Sequence, residues 1–148
     1  MSAETWLLVY GMLSAYCLAG CLMEHFAVFS GWAAVAPAQF RSVQTTQGHG
    51  SGIVYVVPKV ALTALVVVML VGAPDRILAW PLWAGAAALT ASWLSFAVIQ
   101  LPIQLRIRQT AERTAIERLV RTDWIRVAAM VAHFAFAVTV IAGTTGPS

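Results

Sequence analysis

The chain has 148 residues, of which 60% are hydrophobic and 10% charged, with a formal net charge of +3. A soluble globular domain carries about a quarter of its residues charged, so the composition excludes an ordinary water-soluble domain. Four apolar spans of about 20 residues each would use more than half of the length and leave no room for a separate soluble enzyme domain.

The first apolar stretch covers about residues 6–30. Met1 to Thr5 carries no Lys or Arg and no small-residue cleavage signal closes the stretch, so it is expected to be retained and not removed as a secretory signal. Ser14, Cys17, Cys21 and Glu24 fall on one stripe at helical spacing, which should face other helices. Gly11, Ala15, Ala19 and Gly20 are candidates for close backbone approach. Cys17 and Cys21, the only cysteines, read as small apolar residues and not as a disulfide or redox pair. Residues 31–52 turn polar and irregular, through Pro37 and Arg41 to Gly48-His49-Gly50-Ser51-Gly52, and read as a loop with room for a short interfacial helix.

A second span over about 53–72 is stopped by Ala73-Pro74-Asp75-Arg76, and a tight connection leads to the third, about 81–105. Proline suits the first turn that follows Trp80, and Trp80 with Trp83 can anchor that end at an interface. Pro102 cannot donate a backbone hydrogen bond and crowds the carbonyl four residues earlier, which predicts a kink near Val98. Residues 106–122 form the strongly charged second loop, where Thr114-Ala115-Ile116-Glu117 has the form of a capping box. Ala115, Ile116, Leu119 and Val120 make an apolar stripe opposite Arg113, Glu117, Arg118 and Arg121, so this helix should run unbroken into a fourth span over about 123–142, with Trp124 at the interface.

The expected fold is therefore all-α, a four-transmembrane-helix bundle forming a single membrane domain over 1–148. Arg41, Arg106, Arg108, Arg113, Arg118, Arg121 and Arg126 lie toward the side of loops 31–52 and 106–122, and Arg76 alone lies opposite. The positive-inside rule then places both loops in the cytoplasm of a bacterium and both termini in the periplasm or outside, as a multi-pass protein of the inner membrane. Anionic lipid headgroups suit the basic loop, and nucleic acid is not read from it.

Ionisable groups within a span are costly and are functional candidates by default. They are Glu24, His25, Lys59 and His133, with the amides of Gln100 and Gln104 beside them. Helical rise puts Glu24, Lys59 and Gln100 near one depth. One reading pairs Glu24 with Lys59 as an ion pair and lets the glutamines satisfy each other across helices. The other is a binding site, in which Glu24, His25 and His49 hold a metal or Glu24 relays protons toward a bound small molecule. Trp93, Gln100 and Gln104 share a face of the third helix, which suits either core packing or a quinone-like ligand. Arg126 and His133 share a face of the fourth, with His133 deeper than His25, whereas a bis-histidine haem requires equal depth.

Three segments, Glu24-His25-Phe26, Gln100-Leu101-Pro102-Ile103-Gln104 and Thr122-Asp123-Trp124-Ile125-Arg126 with His133 beyond, give the chain an order of features that resembles small bacterial four-helix membrane proteins related to the anthrone-oxygenase-like family. The resemblance implies a four-helix bundle with a polar pocket and oxygen-dependent chemistry on an apolar substrate. Asp123 departs from the pattern, where an amide is more familiar, and no catalytic residue of the family maps onto this chain. Two functional readings follow. One is a membrane-embedded Glu/His/Gln site for a metal, cofactor or apolar small molecule, with oxidoreductase-like chemistry. The other is a non-catalytic accessory or structural subunit of a larger membrane complex or a homo-oligomer.

Overall fold

The computed structural model describes residues 2–72, 77 and 79–145, and the described chain is all-helical with no strand. Four helices are long and apolar enough to cross a membrane: α1 Ala3–Trp32, α2 Ala38–Gly72, α3 Ala79–Thr110 and α4 Arg113–Thr144. They contain 30, 35, 32 and 32 residues. At about 1.5 Å per residue they are roughly 45–53 Å long, against about 30 Å of hydrocarbon in a bilayer. Each helix therefore has about ten residues more than a span needs. The stop at 73–76 lies outside the described residues.

That surplus extends helix into much of the first expected loop and into the start of the second, where a helix from the capping box onward was already expected. Residues 31–52 are helical from Pro37 onward and continuous with α2, because Pro37 suits a first helical turn and Phe40 and Gln44, four residues apart, bury one face. Residues 106–122 are interrupted only at Ala111 and Glu112. Ala111 ends α3 in the left-handed region, at φ 51, with its N–H on the Ile107 carbonyl. The expected capping box is displaced as well. The helix starts at Arg113, the carbonyl of Glu112 accepts from the N–H groups of Ala115 and Ile116, and the Thr114 hydroxyl donates to the Glu112 carboxylate. Thr114 is thus inside the first turn, and Glu117 pairs with Arg113 and not with a cap.

Three of the helices carry a π-helical turn, at Glu24–Phe29, Gly52–Val56 and Phe96–Gln100. Two end two residues before a proline, Pro58 and Pro102. Each proline lacks the N–H that would close on the carbonyl four residues back, and the turn widens there. The kink expected near Val98 takes this form. Val54, the carbonyl facing Pro58, accepts instead from the Tyr16 hydroxyl at 3.3 Å.

The bundle has two apolar cores. Leu7, Tyr10, Cys17, Cys21, Leu62, Val66, Leu89, Met130 and Val140 belong to the larger, and the free cysteines sit in it as apolar residues. Phe29, Trp32, Phe40, Ile107, Ile116 and Leu119 belong to the smaller, most of them from the two connecting stretches 31–52 and 106–122. On α1 the cores are separated by Glu24 and His25, on α4 by Asp123 and Arg126, and on α3 by a stretch that includes Ser92, Ser95 and Gln100, all of them buried. The stripe of Ser14, Cys17, Cys21 and Glu24 faces inward as its spacing requires. Of the small residues beside it, Ala15 and Ala19 point outward, while Gly20 lies against the Tyr55 ring and Gly11 against Ile141.

Candidate functional site

The polar layer between the cores is an ionic network joining α1 to α4. The guanidinium of Arg126 is buried and donates through Nε to Asp123 Oδ1 at 2.7 Å, through Nη2 to Asp123 Oδ2 at 3.1 Å, and through Nη1 to Glu24 Oε2. Asp123 and Arg126 are three residues apart and therefore neighbours on α4. Asp123 also accepts from His25 Nδ1 at 2.9 Å. Glu24, His25, Asp123 and Arg126 are 9%, 2%, 0% and 6% exposed, so the network is closed to bulk water.

The π-helical turn at Glu24–Phe29 makes this arrangement on α1. It turns Glu24, His25 and Phe29 inward while Phe26 stays exposed. The Ser30 hydroxyl donates to the His25 carbonyl at 3.0 Å and keeps that group satisfied within the widened turn. Phe29 lies under the Arg126 guanidinium, 5.6 Å from ring centre to Cζ.

Because a carboxylate only accepts, His25 Nδ1 carries the proton of that bond. Nε2 makes no hydrogen bond among the described residues, and in the neutral ring it is an available lone pair. The ring packs edge-on against Phe26, with centroids 4.8 Å apart, and at a tilt against Trp124, at 4.4 Å. Those two aromatics are 60% and 50% exposed, so the histidine lies directly beneath an apolar part of the outer surface. A histidine oriented through Nδ1 by a carboxylate and free at Nε2 is suited to accept a proton or a ligand's hydrogen-bond donor, or to supply one metal ligand.

Not every expected residue joins this layer. Glu24, His25 and Arg126 do. Lys59 does not: it donates to Ser92 Oγ at 2.7 Å and sits over the Trp93 ring, 4.6 Å from the centroid, so the expected Glu24–Lys59 pair is replaced by Glu24–Arg126. The bidentate geometry of Arg126 explains the outcome, since it satisfies two carboxylates at once where an ammonium is a point charge. Trp93, Gln100 and Gln104 take separate partners, because the π-helical turn between Trp93 and Gln104 resets the face of α3. Trp93 Nε1 donates to Thr63, Gln100 Nε2 to Ser95, and at Gln104 it is the main-chain carbonyl that accepts, from Gln44 Nε2. One amide atom of each of Gln44, Gln100 and Gln104 is buried without a partner, so the glutamines do not satisfy each other.

His133 lies in the larger core. Its Nδ1 donates to the Gly85 carbonyl at 2.9 Å, its Nε2 meets the Ser14 hydroxyl at 3.2 Å, and Tyr10 packs edge-on, so both ring nitrogens are occupied in packing. The side chain of His49 lies outside the described residues. Among the described residues no three His, Cys, Asp or Glu side chains converge as metal ligands. Asp123 is the residue the sequence reading missed. The signal was available, since an acid three residues before a lone arginine in an apolar stretch is placed to hold it. A scan of family models and searches of curated proteins and of solved structures find no match to this chain.

Proposed function

We propose that the chain is an integral protein of a bacterial cytoplasmic membrane that binds an apolar small molecule with a hydrogen-bonding head at His25, from the cytoplasmic edge of the bilayer. The observation that carries this reading is the free Nε2 of a buried histidine whose other nitrogen is held by Asp123. Arg126 and Glu24 position Asp123, and the exposed rings of Phe26 and Trp124 offer an apolar approach from the side.

The placement follows from helix length and charge. The smaller core lies at the end of the bundle that carries Arg41, Arg106, Arg108, Arg113, Arg118 and Arg121, which the positive-inside rule assigns to the cytoplasm. The larger core is then the part within the hydrocarbon, and the ionic layer falls near its cytoplasmic boundary, where Trp124 is at home. Two of the segments that carry the resemblance to anthrone-oxygenase-like proteins, Glu24-His25-Phe26 and Thr122 to Arg126, meet in this layer, which supports an apolar ligand.

Purification in native lipid followed by mass spectrometry of retained small molecules tests the proposal. His25→Ala leaves Asp123 paired with Arg126, so the bundle should assemble and the bound molecule should be lost. A wild-type protein that carries no small molecule or metal, and instead a fixed set of larger membrane partners, would replace this reading with that of an accessory subunit.

A further inference from the structure

Lys59 stands apart from the ionic layer. Its ammonium has three donors, of which Ser92 Oγ takes one, and among the described residues no carboxylate lies within ion-pair distance of it. The buried carboxylates, Glu24 and Asp123, are both held by Arg126. Ser92 is buried on α3 one residue before Trp93, which packs against the larger core, so the cation lies on the larger core's side of the ionic layer.

A short ring of bonds holds the lysine in place. The ammonium lies over Trp93, Trp93 Nε1 donates to the Thr63 hydroxyl at 2.9 Å, and that hydroxyl donates to the Lys59 carbonyl at 2.7 Å. Trp93 and Thr63 also line an outward-facing groove of about 440 Å³ between α2 and α3, completed by Val60, Ala64, Val67 and Val68. The groove starts at the turn of Lys59 and follows α2 for about 12 Å away from the ionic layer.

We propose that Lys59 and this groove bind a long-chain fatty acid, with the carboxylate on the free donors of Lys59 and the chain along Val60 to Val68. An uncompensated cation in an apolar surround favours an anionic partner, and the groove beside it is apolar throughout. The depth favours a carboxylic acid on one chain over a phospholipid, whose phosphodiester is held at the bilayer surface.

The test uses the full chain in phosphatidylcholine nanodiscs with palmitate or methyl palmitate added at equal concentration, read by native mass spectrometry. The wild type should retain one palmitate and at least tenfold less of the uncharged ester. Lys59→Met, which replaces the cation with an apolar chain of similar length and so leaves folding intact, should remove that preference. His25→Ala should retain palmitate as the wild type does. Equal retention of acid and ester, a preference that survives Lys59→Met, or loss of palmitate with His25→Ala would each overturn the assignment.

Discussion

At the residue scale the ionic layer depends on Arg126, because one planar guanidinium serves two carboxylates. Arg126→Met leaves Glu24 and Asp123 buried without their cation, and breaking such a pair from one side costs about 3–5 kcal/mol. Arg126→Lys keeps the charge but not the fork of donors, so its loss should be intermediate. Reversible unfolding in mixed detergent micelles measures both. Glycines give a second contrast. A Cβ at Gly20 would stand 2.7 Å from the Tyr55 ring, whereas one at Gly48 meets nothing. Gly20→Ala is therefore expected to destabilise by about 1–3 kcal/mol through overpacking, and Gly48→Ala to stabilise by about 0.5–1 kcal/mol through helix propensity. The same unfolding assay separates the two signs.

At the element scale the junction between α3 and α4 carries its own pH dependence. Glu112 accepts from the Thr114 hydroxyl at 2.7 Å and from Arg106 at 2.8 Å, and these partners, the hydroxyl foremost, hold its carboxyl below the usual range. A folded value below the unfolded one means that the contribution is complete above the ordinary glutamate range. It is lost as pH falls through the depressed value. The group is exposed to water, so the effect is local. Hydrogen-exchange protection at Ala115 and Ile116, whose N–H groups end on the Glu112 carbonyl, should fall on acidification in the wild type. The same step should have little effect in Glu112→Gln.

At the scale of the whole molecule, two cores with a polar layer between them divide the bundle into a longer apolar part and a shorter basic part. The proposed orientation makes the basic part cytoplasmic. A cysteine placed at Thr114, in a background lacking Cys17 and Cys21, should be shielded from an impermeant thiol reagent in intact cells and react once the membrane is opened. One placed at Ser148 should react in intact cells. The opposite pattern would invert the topology and move the His25 site to the other face.

Helix number, the apolar stretches, the stripe of Ser14, Cys17, Cys21 and Glu24, and the disturbance ahead of Pro102 were legible in the sequence alone, because each depends on local periodicity or on proline's missing N–H. So was part of the list of buried polar groups, Glu24, His25, Gln100, Arg126 and His133 among them, whereas Asp123 and Gln44 were not. Tertiary structure decided which of them meet. Helical rise alone gave Glu24 and Lys59 a common depth, but Lys59 reaches to Ser92 and Trp93 on the larger core's side, and the π-helical turn at Glu24–Phe29 directs Glu24 to Arg126 and His25 to Asp123. Residues 37–52 and 106–110, read as loop, are helical because Phe40 and Ile107 bury themselves against Phe29, Trp32, Ile116 and Leu119, so that four chain segments share one core. That gain comes from contacts between residues distant in sequence, which composition and spacing along one segment do not contain.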